Sequence, residues 1–359
     1  MSGFSETKFG KFLKKQDIVF SPKRYFIDAL GAMAQGLFAS LLIGTILKTI
    51  GEQTGVELLV TIGGFAAAVM GPAMAIAIGR ALNAPPLVLF SLAAVGWAAC
   101  ECGGAGGPLA VFFIAVIATE FGKLVSKTTP IDIIITPLVT ILVGGILSVF
   151  IAPYIGQAAS AVGNAIMWAT ELQPFLMGML VSLIVGIALT LPISSAAICA
   201  ALGLTGLAGG AAVAGCCAQM VGFAIISFRE NRWGGLVAQG IGTSMLQMGN
   251  IVRNTRIWIP AIVASLVNGP IATCVFHLEM NGAAVSSGMG TCGFVGQIGV
   301  YTGWVNDVAS GVKAGITAMD WIGLIVVSFI VPAVVSWLVS ILLRKVGWIR
   351  ENDLKLEVK

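Results

Sequence analysis

The run MDWIGLIVVSFIVPAVVSWLVSILL, residues 319–343, carries one charged residue, Asp320, in its whole length. As an α-helix it would rise about 37 Å, more than the roughly 30 Å hydrocarbon core of a bilayer. A helix apolar on all sides has no wet face to show, so it must lie in lipid or in a large protein interior. A second run, IDALGAMAQGLFASLLIGTIL (27–47), has the same character, and others recur along the chain. Charged residues make up 10% of the sequence, against about 25% in soluble domains. That shortfall excludes a soluble globule. Strands of an outer-membrane barrel would alternate over about ten residues, and no such segments occur. The chain reads as an all-α polytopic membrane protein.

Topology follows from where the basic residues fall. Lys8, Lys11, Lys14, Lys15, Lys23 and Arg24 precede the first run, and Arg344, Lys345, Arg350, Lys355 and Lys359 follow the last. The positive-inside rule puts both ends in the cytoplasm. This gives a basic N-terminal arm (1–24), a transmembrane permease-like domain (25–343) and a C-terminal tail (344–359). The arm lacks the apolar core and cleavage site of a signal peptide and is expected to be retained. It is not read as a nucleic-acid binder.

Between the ends, 25–50 crosses outward and 56–78 returns to Arg80 and the breaker NAPP (83–86). Residues 87–122 form a hairpin with its tip at GGAGGP (103–108). Residues 131–155 cross outward, 157–172 is a more polar external segment, and 175–193 returns. A second glycine-rich hairpin covers 194–228, 233–250 is re-entrant or broken, 257–276 crosses outward and 319–343 returns. Only Lys48 and Lys313, of 20 lysines and arginines, fall on the outer side. Eight to ten spans are expected. GPAMAIAIGR (71–80) and GPIATCVFHL (269–278) each follow an apolar helix and precede a glycine-rich hairpin, which suggests an internal repeat of the kind found in secondary transporters.

The broken segments carry the functional signal. Hydrocarbon leaves free backbone N–H and C=O groups unpaired, so irregular backbone persists at membrane depth only inside protein or along a wet cavity. Small residues also serve close helix packing, but that does not explain the polar side chains among them. Glu101, in AACECGGAGGP (98–108), is a carboxylate inside an apolar hairpin. Such residues face a cavity or a partner, so Glu101 either accepts hydrogen bonds from substrate hydroxyls or forms a structural pair. Ser194 and Ser195 follow the helix breaker Pro192 and either cap a helix or meet a polar ligand. Gln219, Gln247, Asn250, Asn254 and Gln297 supply amides suited to a hydroxylated substrate. Arg253 and Arg256 either hold a cytoplasmic helix end or receive a phosphate or an acidic partner surface. His277, the single histidine, closes a span and is read as structural or as a sugar or proton contact.

Seven cysteines (100, 102, 199, 216, 217, 274 and 292) form no C-x-x-C pair, and with one histidine they make neither a zinc ribbon nor a thioredoxin-type motif. They read as small buried hydrophobes. No metal site, cofactor motif, catalytic triad or P-loop is found.

Several blocks resemble a known family. TPIDIIITPLVTILVGGILSVFIAPYIGQ (129–157) is similar to a helix of fructose-type enzyme IIC permeases of the bacterial phosphotransferase system. LPISSAAI (191–198), GCCAQMVGFAIISFREN (215–231), WGGLVAQGIGTSMLQMGNI (233–251) and GMGTCGFVGQIG (288–299) resemble the type-2 enzyme IIC-like branch that includes the perfringolysin O regulator. The resemblance implies a homodimeric inner-membrane permease for a sugar-like small molecule. It further implies that separate enzyme IIB and IIA proteins phosphorylate the cargo. The soluble tails contain neither the histidine nor the cysteine those proteins phosphorylate, so this chain cannot run the relay alone. The runner-up is a phosphorylation-independent transporter of a small organic solute or anion on the same scaffold. A membrane-bound sensor or regulator is the third reading.

Overall fold

The computed structural model describes residues 8–356; Lys359 and the side chains of Lys8 and Lys11 lie outside what is described. Among the described residues the chain is all-helical, with one isolated antiparallel bridge between Gly206 and Met280. Six helices are long and apolar enough to cross a membrane, or seven if one bent pair counts as a span. Eight to ten spans were expected. Pro86–Val125, one 40-residue stretch among those six, carries Glu101, Glu120 and Lys123 and folds back on itself as two arms, and Pro174–Thr190 is a shorter apolar helix, while 233–250 and 281–294 break into turns too short to cross.

In chain order the helices are α1 Lys8–Lys15, α2 Arg24–Thr54, α3 Glu57–Ala68, α4 Met70–Ala81, α5 Pro86–Gly103, α6 Gly107–Val125, α7 Asp132–Phe150, α8 Ala152–Thr170, α9 Pro174–Thr190, α10 Ser195–Ala201, α11 Gly206–Ile226, α12 Phe228–Val237, α13 Met248–Arg253, α14 Thr255–Val275, α15 Val295–Ala309 and α16 Ala318–Lys345. They divide between two compact units. One gathers the chain up to Gly44 with Gly64–Gln157, the other Thr45–Gly63 with Ala158–Lys359.

The helices α4 to α7 belong to the first unit. α3 and α4 bend by 47° at Val69, just before Pro72, so the return expected over 56–78 is a broken one. The hairpin of α5 and α6 has its tip where the sequence puts it. Pro86 and Pro108 start the two arms, where a missing N–H is harmless. Gly104 turns between them at φ 49°, a region that penalises any Cβ. The arms then pack so closely that a Cβ on Gly107 would run into Cys100. At 18 and 19 residues, each arm is about 27–28 Å long, close to one bilayer crossing. Residues 157–170, within the segment expected to be external, are helical in α8. The face of α7 that bears Leu138, Leu142 and Val149 is exposed, which in water would aggregate and in a bilayer meets acyl chains.

The three chain ends of this unit expected on one side of the membrane do meet. Lys123, 1% exposed, donates to the carbonyls of Asp17 (2.7 Å) and Leu82 (2.9 Å) and pairs with Glu120 at 3.3 Å. Arg24 reaches the same Leu82 carbonyl and the Asp17 carboxylate at 2.6 Å. The Arg24 hydrogen bond, helped by one from Asn83, holds the Asp17 carboxyl below the ordinary carboxylate range.

The second unit is built around α11, which has no charged residue and is almost wholly buried. Glycines let its neighbours approach at backbone distance. Gly186 of α9 lies against Gly215 of α11, and Gly178 of α9 against Gly269 of α14. Its same-side ends also converge: Arg344 of α16 donates to the Ile226 carbonyl (3.1 Å) and to Glu230 (2.8 Å).

Candidate functional site

A buried helix cannot leave an amide unpaired without penalty, and the environment of Gln219 follows from that. Its oxygen accepts from Trp258 Nε1 (2.7 Å) and Thr190 Oγ1 (3.1 Å), and its nitrogen donates to Ser265 Oγ (3.1 Å). Thr190 continues the network to Ser244 at 2.8 Å. Gln219 therefore ties α9, α11, α14 and the broken 238–247 segment together at the point where α9 ends.

The two irregular segments of this unit brace one another. Ser194 caps α10 by accepting from the Ala197 N–H (3.2 Å). Buried Ser195 donates to the Gly288 carbonyl (2.8 Å), and Ser287 donates back to the Leu204 carbonyl (2.6 Å). Gly290, at φ 53°, fits against Cys216 with no room for a Cβ. Phe294 stands at φ 59° before α15 begins, a position where a bulky side chain is strained.

Gln297, on the first turn of α15, is buried. Its nitrogen donates to Ser328 Oγ (2.9 Å) and Cys217 Sγ (3.3 Å), while its oxygen has no partner. Asn268 of α14 has the same defect. Its nitrogen donates to the carbonyls of Ala214 and Val327, both at 2.8 Å, and its oxygen is unpartnered. The atoms that fix them, 214 and 217 on α11 and 327 and 328 on α16, lie within one turn of each other. Two orphaned acceptors there are a costly feature in a dry core, and one that a donor-rich guest would relieve.

Gln247, Asn250 and Asn254 have a different employment. They grip the C-terminal tail. Gln247 Nε2 donates to the Leu354 carbonyl (2.9 Å), Asn250 Nδ2 to the Lys355 carbonyl (3.0 Å), and Asn254 Nδ2 to the Trp348 carbonyl (3.0 Å) and Asp353 (2.9 Å). Asn231, not singled out in the sequence, donates to Leu354 (2.7 Å) and accepts from Leu356 N–H. An amide chain runs behind them from Asn250 through Gln247 and Gln239 to Ser227, each link 2.8 Å. The tail's Ile349 and Leu354 are buried in a core with Phe223, Ile226, Ile251, Ile257 and Ala261.

Arg253 and Arg256 lie beside this docked tail on an open cavity of about 290 Å³ that Arg350, Trp348 and Asp353 also line. The Arg256 guanidinium sits 5.1 Å over the Trp348 ring. His277 is exposed, in a turn at φ 45° after α14. Glu101 belongs to the first unit, on the last turn of α5. It is exposed, and its side chain forms no hydrogen bond or ion pair among the described residues. It ends an exposed stripe with Phe90, Ala94 and Trp97, about 22 Å along the arm from Pro86. No group of three or more His, Cys, Asp or Glu side chains able to hold a metal occurs among the described residues.

The family model described as "Phosphotransferase system, EIIC" matches residues 27–356. No curated protein and no solved structure matches the chain.

Proposed function

Because the chain belongs to the phosphotransferase system EIIC family, we propose that it is the membrane permease subunit for a sugar or a similar small polyhydroxy compound. The family match over nearly the whole chain is the observation that carries this reading. In the same proposal it works as a homodimer in the bacterial inner membrane, with both termini in the cytoplasm.

The passenger is proposed to bind in the second unit, along the irregular segments that carry Ser194, Ser195 and Gln297. The unpartnered oxygens of Gln297 and Asn268 support this, since sugar hydroxyls supply the donors they lack. Gln219 holds the surrounding helices in place. His277 is proposed to stand at an entrance of this unit; in the first unit, taken by itself, Glu101 is proposed to accept hydrogen bonds from cargo hydroxyls at the hairpin tip. Gln247, Asn250 and Asn254 are reachable by cargo or partner only when the tail undocks.

Phosphorylation is proposed to come from separate enzyme IIB and IIA proteins, with Arg253 and Arg256 receiving a phosphate or an acidic face of the partner. Planar guanidinium forks suit that task, and phosphoryl transfer needs little beyond positioning and charge stabilisation. Uptake of labelled sugars into membrane vesicles, with and without phosphoenolpyruvate and the general relay proteins, tests the reading. The expected result is relay-dependent accumulation of a sugar phosphate. Relay-independent uptake would instead establish the phosphorylation-independent transporter, and no uptake of any polyhydroxy compound would refute both.

A further inference from the structure

A groove of about 540 Å³ opens where α11 hands over to α12 and α16 ends. Its floor is apolar: Ile225 and Phe228 on one wall, Trp337 and Ile341 on the other. Its rim is cationic, with Arg229 and Lys345. Trp337, Ile341 and Lys345 are spaced four residues apart, so they form one stripe along α16. From Trp337 to Lys345 that stripe runs about 12 Å, comparable to the depth of one leaflet's hydrocarbon.

The charges at the rim are unequal in employment. Arg344, which also borders the groove, is committed to Glu230 (2.8 Å) and the Ile226 carbonyl (3.1 Å). Glu230 is thereby taken and neutralises nothing else. Arg229 and Lys345 are exposed and make no hydrogen bond or ion pair among the described residues. Two unspent cations therefore stand at the mouth of an apolar slot, at the end of the spans that the basic residues assign to the cytoplasmic leaflet.

We propose that this groove binds an anionic glycerophospholipid, with its phosphate between Arg229 and Lys345 and an acyl chain along Trp337 and Ile341. Basic pockets between membrane helices on this side suit acidic headgroups. A free anion would leave the apolar floor wet, and a zwitterionic lipid would leave the cations unmatched. The proposal rests on the membrane location alone and is independent of what the protein transports.

The test uses the full-length protein in proteoliposomes and lipids with brominated chains, which quench nearby tryptophans. The signal of Trp337 is taken as the difference between the wild type and Trp337→Phe. Brominated phosphatidylglycerol should quench it at far lower mole fraction than brominated phosphatidylcholine. Each cation removed should weaken that preference about five-fold, so the Arg229→Gln/Lys345→Gln double variant should lose about 25-fold. The charge-preserving Arg229→Lys/Lys345→Arg pair should keep it, and added salt should erode it in the wild type without any substitution. Equal quenching by both lipids, a preference unchanged in the double variant, or full competition by soluble glycerol phosphate would each overturn the proposal.

Discussion

Leu354→Ala should release the C-terminal tail. Leu354 is 0% exposed and, with Ile349, fills the small core formed by Phe223, Ile226, Ile251, Ile257 and Ala261. Cutting a buried leucine to alanine costs about 2–5 kcal/mol, as lost burial plus the cavity left behind. The change leaves every tail hydrogen bond chemically intact, because Asn231 and Gln247 grip the Leu354 carbonyl, a main-chain atom. The loss therefore falls on docking of the tail. At 1.4 kcal/mol per decade, 2 kcal/mol already raises the open population about 25-fold. Hydrogen exchange of the protein in nanodiscs reads this directly, since amides of a docked segment exchange at the rate of its local opening. Amides of residues 349–356 should exchange at least about 25-fold faster, while those of α9 and α11 keep their protection. Leu354→Met, which conserves volume, should change little. Unaltered exchange in the tail would refute the docking argument, and so would loss of protection spread evenly through α11.

Other outcomes follow from single groups. Gln219→Leu strands chiefly the Trp258 N–H, because Thr190 keeps Ser244 and Ser265 keeps the Ala261 carbonyl; stability should fall by about 1–3 kcal/mol in chemical unfolding, with the affinity for cargo unchanged. Cargo affinity lost at full stability would instead make Gln219 a direct contact. Asp17 has a lowered pKa in the fold, so its contribution is complete above the unfolded value near 4 and fades as pH falls through the folded one. Proteolytic cleavage of the arm should therefore accelerate as pH falls below about 4, and Asp17→Asn should remove that dependence. Glu101→Gln should raise the KM for uptake about ten-fold if its carboxylate accepts cargo hydroxyls, as loss of one charged hydrogen bond would; an unchanged KM returns Glu101 to a structural role.

The legible parts of the fold were those that lipid dictates. Apolar runs marked the helices, and the hairpin tip at 103–107 was readable because Gly-Gly-Ala-Gly-Gly followed by Pro108 cannot continue an ordinary helix. Basic residues marked which ends share a side, and the structure brings Arg24, Leu82 and Lys123 together, as it does Ile226, Glu230 and Arg344. The number of spans was harder, since hydropathy does not say whether an apolar run crosses or folds back.

The site was less legible. Polar residue types were visible, but their partners were not. Gln247 and Asn250 look like ligand amides in sequence, yet their partners are carbonyls more than 100 residues away. Main-chain carbonyls carry no signature in sequence, so the docked tail could not be foreseen. The value of Gln297 and Asn268 is likewise invisible until their neighbours satisfy one end of each amide and leave the other bare.

A thermal-shift screen of the purified protein and its Gln297→Leu variant against sugars, sugar acids and small anions tests the central claim most directly. A ligand at one hundred times its Kd stabilises the folded state by about 2.7 kcal/mol, enough to raise Tm measurably. At least one sugar or polyol should stabilise the wild type and lose that effect in the variant, each shift being read against the variant's own unliganded Tm, because Gln297→Leu removes the orphaned oxygen together with the two hydrogen bonds its nitrogen donates. Stabilisation only by anions, or a sugar shift that survives Gln297→Leu undiminished, would contradict the account.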